Sequence, residues 1–252
     1  MKRSEYSQII KLAKRSLEEY KNWGEDEIYK EPIVKTPSEK TPAAVNESGF
    51  AVKKSGPAHK LEALKKEAVK CKKCALGTSR LNCVFGAGSA SAEVMFVGEG
   101  PGFDEDHQGE PFIGRAGQLL TKIIEAMGYT RESVYIANIV KCHPMKDPSD
   151  PQLRGNDRPP TLDEMESCRP YLDKQLEIIQ PKIIVTLGAS STRGLLESEE
   201  SISVIRGTVK EYNGIKLVPT YHPAALLRNP SLKKFVWDDM KRVMKFLKTG
   251  EI

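Results

Sequence analysis

Residues 98–118 read GEGPGFDEDHQGEPFIGRAGQ, a run of glycine, proline and carboxylates directly behind the apolar stretch EVMFV. A glycine-rich turn ahead of a helix can cradle a phosphate, because backbone N–H groups at a helix N-terminus favour anions. Here Glu99, Asp104, Glu105, Asp106 and Glu110 would repel one, and the Lys-Ser/Thr ending of a phosphate-binding loop is missing. The bland alternative is an acidic surface loop with turn glycines. It leaves one residue without a reason, Phe112, an exposed-looking aromatic in a polar segment.

Two further constellations carry chemistry. Cys71-x-x-Cys74 puts two thiols on one tight turn, while Cys142 ends an apolar run and Cys168 falls in a helical stretch. Four thiolates suit zinc or an iron–sulfur cluster, and spacing does not choose between them. Cys83 sits alone beside Val84 and Phe85 and reads as readily as an unconnected buried thiol as a ligand. Near the C-terminus, YHPAALLRNP joins His222 to a helix-starting proline and to Arg228. Arg228, Lys233 and Lys234 would suit a backbone phosphate, or simply a solvated face.

The elements that must position these residues are legible. EVMFV (93–97), VYIANIV (134–140) and KIIVTLG (182–188) suit buried strands. Helical spacing appears at HKLEALKKEAVKC, GQLLTKIIEAMG, LDEMESCRPYLDKQLEIIQ, ASSTRGLLES and SLKKFVWDDMKRVMKFL. Alternation of strand and helix predicts a three-layer α/β/α domain on a central, mainly parallel, four-stranded sheet. Asn213-Gly214 between two β-like runs predicts a hairpin. Ligands of open parallel sheets bind beyond the carboxyl ends of the strands. The acidic segment, Asn138, Gly188 and His222 all fall at such ends, so one crevice is expected to collect them.

The folded domain is expected at residues 57–252, behind an extension (1–56) made of a short amphipathic helix and a Pro-, Ser-, Lys- and Glu-rich linker. Of 252 residues 29% are charged, with a net charge of +5, which tolerates a polyanionic partner. No stretch is apolar enough to span a bilayer, and the N-terminal segment lacks the apolar core of a secretory signal. A cytoplasmic, monomeric protein without membrane contact is expected. Five cysteines, an odd number, argue against a disulfide framework.

Taken together, GEGPGFDEDHQGEPFIGRAGQLL, VYIANIVKCHP, HPAALLRNP and the four ordered cysteines resemble the family 4 uracil-DNA glycosylases. The resemblance runs from about Val69 to Leu247. It implies a repair enzyme that flips uracil out of DNA and hydrolyses its N-glycosidic bond. Phe112 would be the platform for the flipped base and Asn138 would read its edge, an amide matching uracil N3–H and O4. Gly98 and Gly100 would line the base pocket, and Glu105 would crowd out the methyl group of thymine. Glu99 and His222 would stabilise the electron-poor sugar and the departing uracil anion. Arg228 would contact DNA. Cys71, Cys74, Cys142 and Cys168 would bind a 4Fe–4S cluster, and the extension could tether a replication or repair partner.

Two departures stand out. MKDPSDPQLRGND (145–157) is an insertion relative to the family pattern, and the family offers no function for the extension. A related branch carries a histidine-bearing insertion that attacks the sugar covalently. This insert has no His, and His143 precedes it, so ordinary hydrolysis is expected. The competing readings are a non-catalytic iron–sulfur module that binds nucleic acid and a zinc-stabilised nucleotide-binding protein. The first would not need both Glu99 and His222.

Overall fold

A computed structural model describes residues 56–251. The helix and linker expected ahead of Gly56 lie outside the described residues.

Two short N-terminal helices, α1 (Pro57–Val69) and α2 (Leu76–Ser79), precede β1 (Ala87–Gly88) and β2 (Val94–Gly98). Then come α3 (Phe103–Gln108), α4 (Arg115–Ala126), β3 (Tyr135–Asn138), α5 (Leu162–Ile179), β4 (Ile183–Leu187), α6 (Ala189–Leu196) and α7 (Ile202–Ile205). The hairpin β5 (Lys210–Tyr212) and β6 (Ile215–Thr220) leads into α8 (Pro223–Arg228), a 3-10 turn (Pro230–Leu232) and α9 (Lys233–Thr249).

The sheet has six strands, not the four expected, in the order β1-β3-β2-β4-β6-β5. Its four inner strands are parallel, and β1 and β5 add antiparallel edges. Ala87–Gly88 escaped the four-strand expectation because it is too short to show any alternation. Lys210–Tyr212, read as one arm of the hairpin, was not counted in the sheet and forms its mostly exposed edge. The hairpin itself forms where Asn213-Gly214 foretells it, with φ of 49° and 79°, as a primed turn requires.

Alternation along the strands divides the core into two layers. Val94 and Phe96 of β2 join Ile136, Ile183, Val185 and Val218 beneath Leu120 and Ile124 of α4, and Val236 and Met240 of α9. Met95 and Val97 face the other way, with Ala137, Ile184 and Leu217, toward α1 and α5. Each fully buried Leu or Ile in these layers contributes roughly 1.5–3 kcal/mol. Because β2 has β3 on one side and β4 on the other, the chain reverses direction of winding at β2. A crevice therefore opens beyond its carboxyl end, where an open sheet collects its ligand.

Candidate active site

The parallel register sets Gly98 beside Asn138 at the ends of β2 and β3. Across β4, the Gly188 N–H donates to the Thr220 carbonyl at 2.8 Å, which brings the end of β6 alongside. A Cβ on Gly188 would lie 3.0 Å from Cβ of His222. Four of the residues singled out from sequence thus meet at one rim.

Gly98 is required by space. A side chain there would collide with Asn138 Oδ1 and with the Phe112 ring, at 2.5 Å from Phe112 Cζ. A Cβ on Gly100 would likewise lie 2.7 Å from Val140. Phe112, expected to be exposed, is buried: its ring packs in the layer of Phe96 and Leu120 and lies 5.7 Å from the His222 ring. Its backbone has φ of 53°, a left-handed conformation that is costly for a bulky residue. Such strain persists only where the surroundings over-determine it. Here Arg131 donates to the Pro111 and Phe112 carbonyls at 2.7 and 3.0 Å. Gly117 lies so close beneath that any Cβ would strike the Phe112 carbonyl group.

Most of the acidic segment serves this scaffold. Rather than one long loop, it is the short helix α3 between two turns, with Asp104, Glu105 and Asp106 in its first turn, where carboxylates favour the helix dipole. Glu105 accepts from the N–H groups of Gly102 at 3.2 Å and of Ile113 and Gly114 at 3.0 Å each. Its carboxylate therefore braces the two residues that follow Phe112. Asp106, fully buried, accepts from the N–H groups of Leu81 and Asn82.

Glu99, Asn138 and His222 differ from these braces in having polar capacity left over. Asn138 is buried, and its Oδ1 has no hydrogen-bond partner. Glu99 Oε1 is buried and equally without one. Burial raises the Glu99 pKa, and a hydrogen bond from Ser190 only partly offsets this. Buried polar atoms are almost always paired. Among the described residues His143 Nδ1 and Arg169 Nε also lack a hydrogen-bond partner, but Glu99 Oε1 and Asn138 Oδ1 are the two acceptors, and they lie at neighbouring strand ends. His222 caps α8, its Nδ1 accepting from the Ala224 N–H at 3.1 Å. Burial, and then the charge of Arg228, push its pKa down to about 4. The ring is neutral at physiological pH, with its one proton on Nε2.

Two features were not anticipated from sequence. Leu227, between the buried Leu226 and the exposed Arg228, is 42% exposed. Within LLRNP only the helix phase of α8 separates the buried leucine from the exposed one. The second is the insert, which folds back as a hairpin-like excursion through the Met145–Asp157 bridge. Its Gln152 bonds His107 at 2.9 Å, Arg154 pairs with Asp104 at 3.3 Å, and Asp157 accepts from the Phe103 N–H at 3.2 Å. The insert thus clasps α3. His143, fully buried, has Nε2 2.7 Å from Asp157 and Nδ1 3.6 Å from Asp106. Burial opposes its charge, but the two carboxylates win and raise its pKa to about 9.

Cys71, Cys74, Cys142 and Cys168 border a single cavity with Arg80, Lys141 and Tyr171, and Cys83 is not among the lining residues. Arg80 ties the region together, donating to Cys142 Sγ at 3.0 Å and to the Val69 and Cys71 carbonyls at 2.5 and 3.3 Å. The Lys141 N–H lies 3.3 Å from Cys168 Sγ. Burial pushes the Cys142 thiol up to about 12 and raises Cys168 as well. Among the described residues no three His, Cys, Asp or Glu side chains converge as a single ion would require.

Comparison with known proteins places this geometry. The model of the uracil DNA glycosylase superfamily matches residues 85–241. The chain is 46% identical over 192 residues to the type-4 uracil-DNA glycosylase of Sulfurisphaera tokodaii, covering 73% of this chain and 83% of that protein. It is 43% identical to the type-4 enzyme of Saccharolobus solfataricus over 201 residues, 76% of this chain and 88% of the other. With the type-4 enzyme of Thermotoga maritima it shares 40% identity over 192 residues, 75% of this chain and 95% of that one. The matched residues 85–241 include the crevice, and the chain belongs to the uracil-DNA glycosylase superfamily, in its type-4 group.

Proposed function

We propose that this uracil-DNA glycosylase acts in DNA repair by taking a flipped uracil between Phe112 and Asn138 and hydrolysing its glycosidic bond with Glu99 and His222. The observation that carries this reading is the pair of orphaned buried acceptors, Asn138 Oδ1 and Glu99 Oε1, at the mouth of a crevice floored by Phe112.

A base inside a duplex must leave the stack before its sugar bond can be reached. Phe112, held in its strained conformation, offers a face to stack on. The Asn138 amide accepts from uracil N3–H through Oδ1 and donates to O4 through its amide nitrogen. Bond cleavage leaves positive charge on the sugar and negative charge on uracil. Preorganised groups aimed at those charges are worth orders of magnitude in rate. The Glu99 carboxylate faces the sugar or its attacking water, and the neutral His222 donates from Nε2 to uracil O2. Its Nδ1 is already occupied by Ala224, so the tautomer is fixed. Gly98 and Gly100 keep the strand end clear, and Glu105 acts from the pocket wall by holding the turn that carries Phe112. Leu227 is the natural wedge for the gap the base leaves, because apolar side chains inserted between base steps keep a duplex open. Arg228 beside it contacts the phosphate backbone. His143 is buried and bonded through Nε2 to Asp157, and water serves as the nucleophile.

The cysteine cavity fits an iron–sulfur cluster. Four thiols border it, a donor set that suits a cluster or a tetrahedral zinc, and similarity to the type-4 enzymes favours the cluster. Cys71, Cys74, Cys142 and Cys168 would hold a 4Fe–4S group, whose contribution is to join α1 to the segment after β3 rather than to take part in bond cleavage. Arg80 and Lys141 supply positive charge beside the thiolates.

The test is incubation with a single-uracil oligonucleotide followed by alkaline cleavage. Strand breaks at the uracil that vanish with a Glu99→Gln, His222→Ala double variant are expected. Retained binding without breaks in the wild-type protein would return the chain to the non-catalytic reading.

A further inference from the structure

Lys141 is among the largest fully buried side chains, and no carboxylate of the described residues pairs with it. Its Nζ donates to the Asn138 backbone carbonyl at 2.7 Å and to Gln175 Oε1 at 2.7 Å. Gln175, also fully buried, in turn donates to the Phe85 carbonyl at 2.9 Å and to the Tyr135 hydroxyl at 3.0 Å. At its other end, the backbone N–H of Lys141 points at Cys168 Sγ, and its chain neighbour is Cys142. One residue thus touches the cysteine cavity through its backbone and the base-reading strand through its side chain.

A buried ammonium is expensive unless it is hydrogen-bonded and faced by negative charge. A neutral side chain of similar length would fill this volume at lower cost. The chain instead places a cation that ties the carbonyl of Asn138 to the Gln175 amide. We infer that Lys141 is a positioning residue: it clamps the Asn138 peptide from below, so that the amide stands at the height and angle that read uracil, and it transmits the order of the cysteine site to the base pocket. The inference rests on the reading of Asn138 as the base-reading residue. Reading by hydrogen bonds tolerates little displacement, since a misplacement of about 1 Å can cost about 100-fold. A released Asn138 therefore loses discrimination as well as rate.

The test compares Lys141→Met, Gln175→Met and Asn138→Asp in the intact protein. Readouts are iron content, melting temperature, affinity for an oligonucleotide carrying a non-excisable 2′-fluorinated deoxyuridine, and the single-turnover rate ratio of uracil over cytosine. Lys141→Met is expected to keep its iron, to bind the fluorinated uridine about 10- to 100-fold more weakly, and to lower the uracil-over-cytosine ratio by a similar factor. A merely structural role would lower the melting temperature and leave both affinity and ratio at wild-type values, and that result overturns the inference. Should Lys141→Met not fold, Gln175→Met decides. It loosens the same clamp from its other anchor, and an unchanged ratio there overturns the inference while a lowered one supports it. An unchanged ratio in Asn138→Asp would remove the reading of Asn138 and this inference with it.

Discussion

The candidate crevice and the cysteine cavity lie at two ends of the same short stretch, Asn138 to Cys142, and they leave different kinds of polar atom unmatched. At the cysteine end Arg80 reaches one thiol and three carbonyls, Lys141 and Gln175 form a closed set, and the buried atoms left without a partner are nitrogens, Arg169 Nε and His143 Nδ1. At the crevice, Glu99 Oε1 and Asn138 Oδ1 are buried and unmatched, and Phe112 sits in a strained backbone conformation. At the crevice both unmatched atoms are acceptors, the kind that a ligand's donors would meet. A unit that must bind and release a substrate keeps some polar groups in reserve and is stabilised by its neighbours, here Arg131, Glu105 and the clasp of the insert.

The sharpest way to break this contrast is at the crevice. An aspartate offers acceptors only, so Asn138→Asp would accept from the amino group of cytosine and lose its donor to O4. Excision of uracil is expected to fall by about 1,000-fold or more, with weak excision of cytosine gained, because sites that read by hydrogen bonding reject a mismatched partner by several orders of magnitude. Matched uracil and cytosine oligonucleotides under single-turnover conditions measure it. Glu99→Gln should instead slow excision by about 100- to 1,000-fold without changing which base is chosen.

Titration sharpens the same side. Burial raises the Glu99 pKa, and a group that must be ionised to act loses function as pH falls through a raised value. Excision is therefore expected to decline on acidification above the ordinary carboxylate range, and a rate-against-pH profile should lose that limb in Glu99→Gln. His222 stays neutral down to about pH 4, so it adds no limb near neutrality. A His222-dependent limb near its ordinary pKa would contradict the neutral-donor role.

At the cavity the expected effect is on composition and solubility rather than on base choice. Alanine at Cys71, Cys74, Cys142 or Cys168 is expected to lose iron and much of the soluble yield, since binding energy at a structural metal site is also folding energy. Cys83→Ala, outside the cavity, should keep full iron by elemental analysis. Full iron in Cys168→Ala with loss in Cys83→Ala would reassign the ligands. The smallest effect belongs to the rim: Arg228→Ala should weaken DNA binding and reduce the slope of log affinity against log salt by about one. An unchanged slope would make Arg228 a solvated-face residue.

Much of this was legible before any fold was known. The apolar runs gave the inner strands, and the positions of Glu99, Asn138 and His222 at strand ends followed from the strand-end rule and one parallel sheet. Cys83 was set aside because the family resemblance offers it no counterpart, and it is not among the residues that line the cavity. The acidic segment was harder. Its charge was visible, but a one-dimensional reading cannot tell a carboxylate that faces a ligand from one that accepts from backbone N–H groups. Glu105 and Asp106 do the latter.

What the sequence determined by itself is the set of chemical groups and the order in which the sheet delivers them, because strand periodicity and turn chemistry are local. What only the tertiary structure decided is which groups remain unpaired. Phe112 is buried rather than exposed because Gly117 and Arg131 fold beneath and behind it, and Lys141 is a buried clamp rather than a surface lysine because Gln175 meets it from α5. Satisfaction of a polar group depends on partners distant in the chain, and that information exists only once the layers have packed.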